Sequence, residues 1–220
     1  MKRRALLVLT STILSLIAFV QVAAGCAADY SQFVKLPAPY TINQGLSPAS
    51  PGYLRYLFGV PGALTHDCSE VTNVKLQALI VTQDVGLETV TGLKPAVEAV
   101  QRIFAAVQRD KPDLYAQLQG QETQLDSTAM LCVRAVAGLY PADFSTHSWG
   151  IAIDIAIDGK LNPVGGHQVQ LGLLALYPYF HAEGFYWGAG FLPNADPMHF
   201  EISKEQLARW KLQGIIELPG

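Results

Sequence analysis

Charge is scarce in this chain. Asp, Glu, Lys and Arg make up 15% of its 220 residues, and the net charge is −3. No stripe of Lys and Arg gathers anywhere, so a nucleic-acid partner is not expected: neutralising phosphates requires a basic face. Internal repeats and low-complexity tracts are also missing, which sets aside repeat architectures. After the first apolar run, from Ala5 to Val20, no segment is long and apolar enough to cross a bilayer, which takes roughly 20 residues. Cysteine is limited to Cys26, Cys68 and Cys132.

What is present begins with export. Lys2, Arg3 and Arg4 precede the apolar run, and small residues follow from Val22 to Ala28. Basic, apolar and small residues in that order make a secretory signal peptide, expected to cover residues 1–25; a retained membrane anchor is the alternative. Val22-Ala23-Ala24 suits ordinary cleavage before Gly25. Ala23-Ala24-Gly25-Cys26 also resembles a bacterial lipobox, with Ala23 where Leu is usual, and would lead to lipidation and membrane attachment at Cys26. The expected location is the periplasm or cell envelope, with lipid anchoring as the variant. Either way Cys68 and Cys132 remain as an even pair in an oxidising compartment, and a disulfide between them is expected. About 195 residues follow the signal, enough for one buried core.

Residues 26–73 read as an irregular extension, rich in Pro, Gly, Ser and Tyr, with one short helix near Tyr53–Leu57. Leu76–Thr82 reads as a strand, with a partner through Thr91. Pro95 opens a helix whose Val97, Val100, Phe104 and Val107 share a face. A second helix is expected over 112–119. Met130–Val136 is a strand candidate. Ile151, Ile153, Ile155 and Ile157 alternate with Gly150, Ala152, Asp154 and Ala156, which sends the isoleucines to a core and Asp154 to the other face. Leu171–Glu183 is helical, with a kink or restart at Pro178. Met198, Phe200 and Ile202 alternate with His199 and Glu201 as a half-buried strand. Ser203 and Gln206 form a capping box for a last helix that Gly214 closes, before a tail at 215–220. The mixed order predicts an α+β fold with a small, largely antiparallel sheet and flanking helices.

Chemistry concentrates in two short segments. Ser145-Thr146-His147-Ser148-Trp149-Gly150-Ile151-Ala152-Ile153-Asp154 sets a His and an Asp seven residues apart. Asp196-Pro197-Met198-His199 sets a carboxylate three residues before a second His. Two imidazoles and one carboxylate are a catalytic zinc set that leaves the fourth position to water. A further carboxylate beside that water can take its proton. On one straight strand, residues seven apart lie on opposite faces. His147 must therefore sit in a loop that bends near Ser148–Gly150 before the strand carrying Asp154 begins.

These segments resemble the zinc peptidases of the lysostaphin, D-alanyl-D-alanine peptidase and hedgehog-domain group. The nearest likeness is to its D-alanyl-D-alanine carboxypeptidase and L-alanyl-D-glutamate endopeptidase branch. The family pattern Ser-x-His-x-x-Gly-x-Ala-x-Asp is matched by Ser145, His147, Gly150, Ala152 and Asp154. The later Asp/Glu-x-x-His is matched by Asp196 and His199. The resemblance runs from about Val74 to Ile202 and implies a zinc peptidase domain over 74–214, with peptidoglycan peptides as substrate. It implies Zn2+ held by His147, Asp154 and His199, with Asp196 as general base and Arg134 binding the substrate carbonyl. The surroundings of Arg134, Leu131-Cys132-Val133-Arg134-Ala135, depart from the family's Gly-Tyr-Arg-Ser, and a structural ion pair is the competing role. Ser145, Trp149, Tyr186 and Trp187 are candidates for the substrate groove, with ordinary packing as the alternative for the aromatics. Glu201 is expected to support a ligand. His66, His167 and His181 belong to no motif and are expected to be structural or exposed. A non-catalytic zinc module of the same fold that binds cell wall or a partner is the rival function, and a closed structural zinc site is another.

Overall fold

The computed structural model describes residues 28–119, 130–136 and 141–217. The expected signal peptide and Cys26 lie outside these. The order of elements is β1 (Phe33–Lys35), α1 (Pro51–Phe58), α2 (Val74–Gln77), β2 (Ile80–Asp84), β3 (Thr89–Leu93), α3 (Lys94–Asp110), α4 (Pro112–Gln119), β4 (Ala152–Asp154), β5 (Gln168–Gln170), α5 (Leu171–Ala182), β6 (Phe185–Trp187), β7 (His199–Ile202) and α6 (Lys204–Leu212). The fold is α+β, and its small sheets are antiparallel throughout.

The central sheet has the order β4-β7-β6. Its middle strand, β7, is buried at all four positions, so the expectation of a half-buried strand is corrected. Phe200 and Ile202 enter the apolar core on one side, while His199 and Glu201 are covered on the other by the loops that complete the site. Phe200 stacks on Phe180 of α5 at 4.2 Å, and Phe180 meets Phe104 of α3 edge-on at 6.4 Å. The face of α3 expected from its spacing, Val97, Val100, Phe104 and Val107, is fully buried here. Each such side chain removed from water contributes about 1.5–3 kcal/mol, which makes α3 and α5 the backing of the site sheet.

Several local expectations give way to side-chain hydrogen bonding. The segment expected as a strand from Leu76 starts instead as α2. The Asn73 carboxamide caps it, accepting from the backbone N–H groups of Lys75 at 3.1 Å and Leu76 at 3.2 Å. The strand begins only at Ile80, and this capping outweighs the apolar pattern. Met130–Val136 forms no ladder; Val133 and Ala135 make single bridges to Ser69 and Phe144. Its other donors are diverted, Cys132 N–H to the His147 carbonyl and Arg134 N–H to Ser148 Oγ. Of the alternating isoleucine stretch, only Ala152–Asp154 joins the sheet, although all four isoleucines are buried as expected. Helix α5 runs through Pro178 without restarting.

Within 28–73, β1 pairs with β5, a strand too short for its alternation to register in the sequence. The helix expected near Tyr53–Leu57 is α1, capped by Ser50 Oγ. Cys68 and Cys132 are joined by a disulfide, their Cα atoms 5.0 Å apart. Ser203 Oγ caps α6 by accepting from Gln206 N–H at 3.1 Å. At the other end Gly214 is left-handed (φ 68°) and Ile215 N–H reaches back to the Trp210 carbonyl, so the helix closes where expected. Among the described residues, no helix is long and apolar enough to cross a membrane.

Candidate metal centre and active site

The bend required before β4 is a single 3-10 turn, Thr146–Trp149, closed by Gly150 in the left-handed region at φ 65°. A Cβ at Gly150 would come within 2.8 Å of Gly92 Cα and of Leu93 N, so the turn is wedged against the end of β3. Gly150 N–H returns to the His147 carbonyl, and the Gly150 carbonyl accepts from Leu93 N–H at 2.8 Å. The turn swings His147 over the face of the sheet that carries Asp154. Cross-strand pairing supplies the third group, because Asp154 lies directly opposite His199 in the β4–β7 register. Directly opposed residues on one face sit within side-chain reach.

The Asp154 carboxylate stands between two imidazoles. Oδ1 is 3.0 Å from His199 Nδ1, and Oδ2 is 3.4 Å from His147 Nε2, which is buried and not aligned for a hydrogen bond with any group. One ligand atom from each of the three residues lies within 4.8 Å of the other two. The second nitrogen of His199 faces Glu201 Oε2 at 3.2 Å, and the backbone N–H of Ala49 donates to Glu201 Oε1 at 3.1 Å. A carboxylate in this position fixes the imidazole ring, and it would raise its basicity if the other nitrogen held a metal ion.

The electrostatics favour a cation at this place. Burial alone would raise the Asp154 carboxyl, yet the imidazoles, His147 first, hold it well below the usual carboxylate range. Burial opposes charge on His199, but its hydrogen bonds with Asp154 and Glu201 prevail and push it up to about 10. Two carboxylates facing one imidazole call for positive charge, which a proton or a metal ion can provide. His147 Nε2, buried with no aligned hydrogen bond and facing Asp154 Oδ2 at 3.4 Å, suits a metal ion shared with that carboxylate.

Asp196 lies outside the three-residue cluster, and among the described residues no fourth His, Cys, Asp or Glu joins it. Its backbone is held on both sides, its N–H by the Gly188 carbonyl at 2.9 Å and its carbonyl by His199 N–H at 3.2 Å. Oδ1 is buried without a hydrogen-bond partner. Burial raises its pKa, while positive charge on His199, His147 and Arg134 works the other way. Arg134 is half-buried, and its guanidinium donates to the Ala135 carbonyl at 3.1 Å.

Two of the three aromatic candidates are corrected. Trp149 and Trp187 are both fully buried and line no groove. Trp149 Nε1 donates to the Gly59 carbonyl at 3.0 Å, and Trp187 Nε1 to the Pro197 carbonyl at 2.7 Å. Their large apolar area serves the core while the indole N–H secures a loop. Ser145 is buried as well, and its backbone joins Arg134 and Ser148. The half-exposed aromatics near the ligands are Phe191, whose ring lies 5.8 Å from that of His199, and Tyr186 stacked on it at 5.4 Å. Phe191 carries no signature in the sequence, because nothing in a loop says which aromatic turns toward a distant strand. His167 is exposed, and His181 meets the Gln44 carbonyl at 3.1 Å.

Residues 140–202 match a family model described as D-alanyl-D-alanine carboxypeptidase. Over this stretch, which is less than a third of the chain, the sequence is similar to that family. The matched stretch contains the 3-10 turn, β4, β6 and β7, and with them His147, Asp154, Asp196 and His199. No curated protein matches the chain significantly.

Proposed function

We propose that the protein is an exported zinc peptidase that hydrolyses amide bonds in peptidoglycan stem peptides, as a D-Ala-D-Ala carboxypeptidase or an L-Ala-D-Glu-type endopeptidase. The observation that carries this reading is the convergence of His147, Asp154 and His199 on one point, with Asp196 outside the ligand set but beside it. The family match supports hydrolysis of a peptide bond.

In this reading His147, Asp154 and His199 hold the ion, and Glu201 keeps the His199 ring in place. A zinc ion held there would bring a bound water's pKa from about 15.7 down toward 7 and polarise the scissile carbonyl. Asp196 accepts the water's proton and delivers it to the leaving amine. Burial suits it to this task, since a raised pKa improves a carboxylate as a base. The Arg134 guanidinium offers donors to charge developing on the carbonyl oxygen.

Export is supported by the order of residues at the N-terminus, and the Cys68–Cys132 disulfide fits an oxidising compartment such as the cell envelope. Attachment through a lipidated Cys26 is the membrane-bound form of the same proposal. The deciding experiment is digestion of defined stem peptides by the purified, zinc-loaded protein, with products identified by mass. Cleavage lost with a chelator and restored by zinc is expected, and the product masses name the bond. Binding of peptidoglycan with no cleavage of any stem would sink the enzyme reading in favour of the non-catalytic module.

A further inference from the structure

Asn43 lies far from both motifs in sequence. It sits in the left-handed region at φ 57° and is only 5% exposed. Its carboxamide grips the backbone of Trp187 from both sides. Nδ2 donates to the Trp187 carbonyl at 2.9 Å, and Oδ1 accepts from Trp187 N–H at 2.8 Å. Its own backbone N–H donates to the Tyr177 hydroxyl at 2.7 Å, and Tyr177 stacks on the Trp187 indole at 5.1 Å. The side chain thus imitates a neighbouring strand at the end of β6.

The loop that follows β6 hangs from this point. The Trp187 indole donates to the Pro197 carbonyl, and the Gly188 carbonyl accepts from both Phe191 N–H and Asp196 N–H. No side chain fits at Gly188, where a Cβ would lie 2.5 Å from the Asp196 carbonyl oxygen. The N–H side of Asp196 therefore hangs from Gly188, next to Trp187, whose backbone is held by Asn43 as well as by the β6–β7 pairing. The three candidate ligands have further supports in the β4–β7 ladder and the Gly150 turn, although β7 also pairs with β6 at Phe200 and Trp187.

We infer that Asn43 is a positioning residue for Asp196, acting through Trp187 and Gly188; the inference rests on the peptidase reading for its effect on turnover. Asn43→Gly accepts the left-handed backbone without strain, so it removes the clamp and leaves the turn. Asn43→Asp keeps the acceptor for Trp187 N–H and loses the donor. In the zinc-loaded protein, Asn43→Gly is expected to lower kcat on a stem peptide about 10- to 100-fold, as displacement of a reacting group does. Zinc content and KM stay at the wild-type values, and Asn43→Asp falls between. A second readout needs no activity. Hydrogen exchange in the metal-free protein should speed up about tenfold or more at Asp196 N–H and at the Trp187 indole in Asn43→Gly, with Ile202 N–H unchanged, since exchange follows local opening. Unchanged kcat, unchanged exchange at Asp196, or loss of zinc together with activity would each overturn the inference. If wild-type protein cleaves no stem peptide, the functional reading fails while the exchange comparison still judges the clamp.

Discussion

The ring of His199 is addressed at both nitrogens, by Asp154 on one side and Glu201 on the other. Such a ring has one orientation, and a ligand held in one orientation does not pay rotamer entropy on binding. Glu201→Gln is therefore expected to weaken zinc affinity about 10- to 100-fold, read by competition with a chelator. His147→Ala should abolish both zinc binding and hydrolysis. Asp196→Ala should retain zinc while kcat falls about 100- to 10,000-fold, the usual range for a lost general base. Normal turnover in Asp196→Ala would remove it from the proposed mechanism.

At the scale of elements, the 3-10 turn is the part that converts two motifs into one site. Gly150 is needed twice, for its positive φ and for the close approach of Gly92 and Leu93. Gly150→Ala should destabilise the fold and reduce zinc binding together, because the added Cβ meets backbone that cannot step aside. A circular dichroism melt alongside zinc titration checks this, and a variant with unaltered melting and zinc affinity would contradict it. The same turn is backed by Cys132 N–H and by Ser148 Oγ, which donates to the Arg134 carbonyl at 3.1 Å. The segment expected to be an ordinary strand is thus a brace for His147.

Across the whole molecule, residues 28–73 are tied to the site by long-range links. Ala49 holds Glu201, Asn43 holds Trp187, and the disulfide joins Cys68 to the His147 brace across 64 residues of sequence. A cross-link closing a loop of that length contributes about 4 kcal/mol on chain-entropy grounds. Replacing both cysteines by serine should lower the denaturation free energy by about that much, measured in urea. Arg55 of α1 also reaches Asp143, with Nη1 and Oδ1 2.6 Å apart. Hydrogen bonding to Arg55 holds the Asp143 carboxyl below its usual range. A lowered folded pKa means this contribution is present above the unfolded value, about 3.9, and is lost as pH falls through the folded value. Both side chains are 38% exposed, so the effect is small and screened by salt. Arg55→Met should melt slightly below wild type at neutral pH, with the difference vanishing in acid.

Much of this was legible along the chain because it depends on local period or local chemistry. The spacing of Val97, Val100, Phe104 and Val107 announced α3, the alternating isoleucines marked the core side of β4, and Ser203 with Gly214 bounded α6. The grouping of His147, Asp154 and His199 could also be expected, since two imidazoles and a carboxylate in a pattern resembling a zinc-peptidase motif point to one site. Folding in three dimensions decided everything that depends on pairing between distant segments. Only the register of β4 against β7 puts Asp154 opposite His199, only burial turns Trp149 and Trp187 from groove candidates into core, and only docking of the N-terminal stretch brings Asn43 and Ala49 to the site. Such contacts leave no periodic trace, because each is a single hydrogen bond or packing contact between residues that no local rule relates.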